Sequence, residues 1–124
     1  MADRGSIRHA QVASRMVRLL QERLARGLGD PRYQGMVSVL GIDVDERQGE
    51  ARVRVSVFPA ERERLTIDAL TSAAPRLRAD LLGPMRLRRM PQLTFQADDS
   101  LRRMADIGQA AATDPTPSPE DTDE

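Results

Sequence analysis

Lysine, cysteine and tryptophan are absent from these 124 residues, histidine occurs once, at His9, and the only aromatics are Tyr33, Phe58 and Phe95. Each gap closes off a class of chemistry. Without cysteine there is no disulfide framework, thiolate zinc site or cysteine nucleophile, and a lone histidine leaves no His pair for a metal. Without lysine there is neither a Walker-type phosphate lysine nor a Schiff base. Base-stacking modules need several exposed aromatics, so these residue types supply no stacking platform. No apolar run approaches membrane-spanning length, and the stretch from Met1 to His9 holds no signal-peptide core. The expectation is a soluble cytoplasmic protein, not an enzyme, with no metal, cofactor, membrane or small-molecule substrate.

What is present is arginine. The formal net charge of zero hides a division: residues 1–105 carry all 19 arginines against 13 acids, and residues 106–124 carry the other six acids. The first part is basic and suits a nucleic-acid partner, with one domain expected over 1–105. The remainder, 106–124, has three closely spaced prolines and little to bury, and is expected to be a disordered tail. That tail is either a plain solubilising extension or a competitor of RNA for the basic face.

The densest positive charge lies in Met85 to Phe95, where Arg86, Arg88 and Arg89 precede Pro91 and an alternating run. Arginine stays protonated and its neighbours there offer no nucleophile or base, so the stretch is a candidate polyanion site and not a catalytic one.

Apolar residues Val12, Met16, Leu20, Leu24 and Leu28 recur every four residues, predicting a helix over about 7–28 with Ser6 as a candidate cap. Arg8, Gln11, Arg15, Arg18, Glu22 and Arg26 then share its opposite, mainly basic side. Asp30-Pro31-Arg32 reads as a helix stop and turn. Next come two strands in a hairpin over Met36 to Phe58, in a register pairing Val44 with Ala51, Ile42 with Val53 and Leu40 with Val55 on the buried face. Thr66, Ile67, Leu70, Ala73, Leu77 and Leu81 predict a second helix, kinked or split at Pro75. Leu93, Phe95 and Ala97 form the buried side of a third strand, and Ser100 is the expected cap of a helical turn after it. Asp98 and Asp99 lack the further oxygen ligands that a magnesium site needs, and are possible partners for Arg86, Arg88 and Arg89.

The order helix, strand, strand, kinked helix, strand, together with Asp30-Pro31-Arg32, Arg86-Leu87-Arg88, Pro91-Gln92-Leu93-Thr94-Phe95 and Asp98 with Ser100, resembles the ribosome-binding factor A family over residues 8–104. The resemblance implies an α+β, KH-like fold of the second type: a two-layer sandwich with helices on one face of a three-stranded sheet. It implies a non-catalytic assembly factor for the immature small (30S) ribosomal subunit and its 16S rRNA, active in late maturation. The family's Ala-x-Gly kink would fall at Ala73-Ala74-Pro75, with proline where the family has glycine, and Gln11 stands where an arginine is frequent. The expected RNA-contacting residues are Arg8, Arg15, Arg18, Arg76, Arg78, Arg86, Arg88 and Arg89, on a monomer. Two other functions fit the residues: a general KH-like module for another structured RNA, and a protein-interaction adaptor whose charges only keep it in solution.

Overall fold

The computed structural model describes residues 4–100, 103 and 104, with side chains from Ala10 onward. The expected tail, 106–124, lies outside the described residues. The elements run α1 (Arg4–Leu24), β1 (Met36–Asp45), β2 (Glu50–Phe58), a short 3-10 turn (Ala60–Arg62), α2 (Glu63–Met85) and β3 (Gln92–Ala97). This is the α+β sandwich the resemblance implies. The sheet order is β1-β2-β3. β1 and β2 pair antiparallel, while β3 pairs with β2 in parallel after the α2 crossover.

Central strand β2 sets the layering. Ala51, Val53, Val55 and Val57 are buried on one side, where Met16, Leu20 and Leu24 of α1 and Leu70, Leu77 and Leu81 of α2 complete the core. Alternation along the strand leaves Arg52, Arg54 and Ser56 on the other side. Thr66 is fully buried, and its hydroxyl donates to the Gln34 carbonyl at 2.8 Å, so the core holds no orphan there.

Several local expectations need correction. α1 stops at Leu24, four residues early, because Gly27 and Gly29 take φ of +81° and +69° and the last turn tightens through Arg26 N to Arg23 O and Gly27 N to Leu24 O. Leu28 still reaches the core from this turn. Ser6 sits within the helix and not at its cap. In the hairpin the pairs Val44–Ala51 and Ile42–Val53 stand as expected, but Leu40 is bulged out between Val39 and Gly41, and Val39 faces Val55 instead. The extra residue reverses the facing, so Val37 and Val39 turn to the core and Ser38 outward. Ala97 is exposed, as only Leu93 and Phe95 of β3 are buried.

α2 runs unbroken from Glu63 to Met85 with Pro75 inside it, so the segment does not split into two helices. Pro75 and Thr71 are both exposed, which leaves the Thr71 carbonyl, deprived of its helical donor, open to water. Ala73 and Ala74 are buried and form part of the core face of α2.

Candidate nucleic-acid interface

Three bonds fix how α1 lies beside α2. Arg15 Nη2 donates to the Pro84 carbonyl at 2.8 Å, Arg23 Nε to Asp80 Oδ2 at 2.8 Å, and Arg76 Nη2 to the Leu28 carbonyl at 2.9 Å. Positions rise along one helix as they fall along the other, so the two run antiparallel. The first half of α1 therefore abuts the end of α2. Arg15, exposed and bonded to the Pro84 carbonyl, lies beside the segment that starts at Arg86, and the exposed Arg18 follows one turn further along α1.

That segment is held by its apolar members. Met85 and Met90 are buried and Leu87 packs against the core, so Arg86, Arg88 and Arg89 are left exposed. Arg86 caps α2 in the left-handed region at φ 53°, its N–H donating to the Leu82 carbonyl at 3.2 Å. Arg78 braces the same segment from α2, its Nε and Nη2 donating to the Met90 carbonyl at 2.9 and 2.6 Å. Among the described residues no carboxylate pairs with Arg86, Arg88 or Arg89. Asp98 and Asp99, considered above as their partners, bond instead to Arg54 at 3.5 Å and to Arg103 at 3.1 Å.

The eight arginines expected to contact RNA thus divide. Arg15 bonds to the carbonyl two residues before Arg86, which sets it beside the exposed Arg86, Arg88 and Arg89 at the end of α2, and Arg18 lies one turn further along α1. Arg76 lies eight residues from Pro84 along α2, about 12 Å away, and binds the loop after α1. Arg78 is turned inward to the backbone, and the side chain of Arg8 lies outside the described residues.

Beside Arg76, the turn Asp30-Pro31-Arg32 is tied to α2. Arg32 donates to both Asp30 oxygens, at 3.2 and 2.8 Å, and to Ser72 Oγ at 3.1 Å. The Arg32 side chain, then its backbone N–H, hold the Asp30 carboxyl below the usual carboxylate range against the opposing effect of burial.

The outer sheet face is close to charge-balanced. Arg54 lies over Gly41, where a Cβ would collide with its guanidinium, and reaches Asp43 at 3.4 Å and Asp98 at 3.5 Å. Asp98 Oδ1 also accepts from the Ser100 N–H at 2.8 Å, so Asp98, not Ser100, supplies the capping oxygen. That backbone bond is the largest reason the Asp98 carboxyl is held below its ordinary value, followed by the Ser100 side chain and then, with burial opposing, Arg54. Phe95 is buried and Tyr33 half-buried, which leaves Phe58 as the exposed aromatic among the described residues, paired with Met36 across the hairpin. There is no row of stacking rings. No cluster of three or more His, Cys, Asp or Glu among the described residues is placed to hold a metal ion, and no described helix is long and apolar enough to cross a membrane.

Arg15, Arg78 and the apolar anchors Leu87 and Met90 have structural roles that sequence reasoning does not assign. The anchors carry a visible signal, since apolar residues interrupt the basic run. The backbone acceptors of Arg15 and Arg78 carry none.

Comparison with known proteins agrees with this architecture. The family model described as ribosome-binding factor A matches residues 8–111. The chain is 38% identical over 123 residues to ribosome-binding factor A of Anaeromyxobacter sp. (strain K), covering 90% of this chain and 89% of the relative. It is 36% identical over 103 residues to that of Pseudomonas paraeruginosa (strain DSM 24068 / PA7), covering 81% and 80%. The crystal structure of ribosome-binding factor A from Thermus thermophilus superposes with a TM-score of 0.60 at 29% identity, over 72% of this chain and 94% of that one. A Thermus thermophilus homology model fitted into a cryo-EM map of a 30S–RbfA complex superposes with a TM-score of 0.57 at 29% identity, over 70% and 91%. With the helical layer, the mixed sheet and the match along most of its length, this chain belongs to the ribosome-binding factor A family.

Proposed function

We propose that this chain is a cytoplasmic, monomeric, non-enzymatic assembly factor that binds the immature 30S subunit and its 16S rRNA and assists late maturation. The observation that carries the reading is the arginine corner. Arg86, Arg88 and Arg89 are exposed on an anchored segment beside Arg15, without carboxylate partners among the described residues. Guanidinium groups in that arrangement suit phosphates held apart by a folded RNA. The family and the relative fitted into a 30S complex support the subunit as the source of that RNA.

Sedimentation of a lysate through a sucrose gradient tests it. The protein is expected to travel with immature small subunits at low salt and to leave them as salt rises. A folded protein that stays at the top of the gradient at low salt overturns the reading. The exposed Met36–Phe58 pair, 72% and 64% accessible, is the one observation that favours a protein partner instead. Partners retained after nuclease digestion would support that second reading.

A further inference from the structure

We infer that the acidic segment 106–124 occupies the arginine corner of its own chain in the free protein and is displaced by RNA. The inference rests on reading that corner as a polyanion site. Charge carries it: the first 105 residues hold six more arginines than acids, and 106–124 supply six acids with no arginine. The described residues leave Arg86, Arg88 and Arg89 without carboxylates, whereas Asp30, Asp43, Asp80, Asp98 and Asp99 are each engaged by another arginine. On the outer sheet face Arg54 is already shared by Asp43 and Asp98, which leaves the single exposed Arg52 there against the three arginines of the corner.

Reach is sufficient. In sequence the Arg86 segment precedes β3, a strand about 20 Å long, and residue 106 comes twenty positions after Arg86. Nineteen residues, 106–124, span up to about 60 Å when extended. Tethering sets an effective concentration on the order of 1 mM, so a segment that binds the corner with a Kd of only about 0.1 mM weakens RNA binding about tenfold.

The absence of cysteine gives a clean test on the full chain. A nitroxide attached at Ser118→Cys is expected to broaden the amide signals of Arg15, Arg18, Arg86 and Arg88, and to spare Asp43, Arg52 and Thr94 on the outer sheet face. Broadening should vanish in 0.5 M salt, on addition of purified 16S rRNA, and when Asp106, Asp114, Glu120, Asp121, Asp123 and Glu124 become Asn or Gln. The neutralised chain should bind that rRNA about tenfold more tightly at low salt, with a steeper salt dependence. No broadening, broadening centred on the outer sheet face, or broadening that survives neutralisation overturns the inference. Broadening without any binding of 16S rRNA would retain the contact, overturn the displacement, and count against the proposed function. The first readout contains no RNA, so the two failures are distinguishable.

Discussion

The side chain of Gln21 pairs with Val39 as a neighbouring strand would: Gln21 Oε1 accepts the Val39 N–H at 2.7 Å, and Gln21 Nε2 donates to the Val37 carbonyl at 3.1 Å. β1 is an edge strand, and this amide occupies two backbone groups on its free side. Gln21→Ala should cost about 1–3 kcal/mol of stability, and the Val39 amide should exchange with solvent faster. Urea unfolding and hydrogen exchange check this. Unchanged protection at Val39 would show that the bond contributes nothing.

Arg86 combines backbone strain with the binding role proposed for it, and one substitution separates them. At φ 53° an L-residue with a Cβ is disfavoured. Arg86→Gly should relieve the strain and raise stability by up to about 1 kcal/mol, the gain being partly offset by the freer unfolded chain. The same change should weaken rRNA binding. Opposite signs in urea unfolding and in affinity are the expected outcome, and parallel losses would contradict it.

Arg78 and Arg88 should differ in kind. Arg88 is exposed, while Arg78 is bonded to the Met90 carbonyl. Arg88→Ala should reduce the slope of log affinity against log salt by about 0.7–0.9, the loss of one phosphate contact, with stability unchanged. Arg78→Ala should lower stability by about 1–2 kcal/mol and weaken binding by loosening the segment, leaving the slope nearly intact. Equal slopes for the two variants would remove the distinction between brace and contact.

Acid should destabilise the fold partly through Asp30 and Asp98. Both carboxyls are held below 3.8 in the folded chain, so the unfolded chain takes up their protons first as pH falls. Their contribution is present above the unfolded value and is lost as pH drops through the folded ones. Asp30→Asn and Asp98→Asn should therefore lower Tm at pH 7, with the gap to the parent protein closing at lower pH. Thermal melts from pH 7 to pH 2 check this, and a gap that stays constant over that range would contradict it.

Much of this architecture is legible in the sequence because it rests on periodicity. Met16, Leu20 and Leu24 on a spacing of four, and Ala51, Val53, Val55 and Val57 on a spacing of two, state which side faces the core regardless of what packs there. The misreadings arise where a single residue breaks the period. Leu40 belongs to the apolar alternation of β1, and only the pairing across the hairpin reveals that Gly41 takes the next partner and leaves it bulged. Leu28 likewise continues the α1 spacing, yet reaches the core from a glycine turn. Clustering of Arg86, Arg88 and Arg89 is visible as composition, but their adjacency to Arg15 depends on the antiparallel packing of α1 against α2, which no local pattern encodes.

The parallel pairing of β2 with β3 also orders events during synthesis. Val53 and Val55 receive their second strand partners only from Phe95 and Ala97, some forty residues further along the chain. Until those residues leave the exit tunnel, the middle strand of the nascent domain keeps one ladder edge open, and a stalled or clipped product ending before Pro91 would present a sticky valine-rich rim to its neighbours.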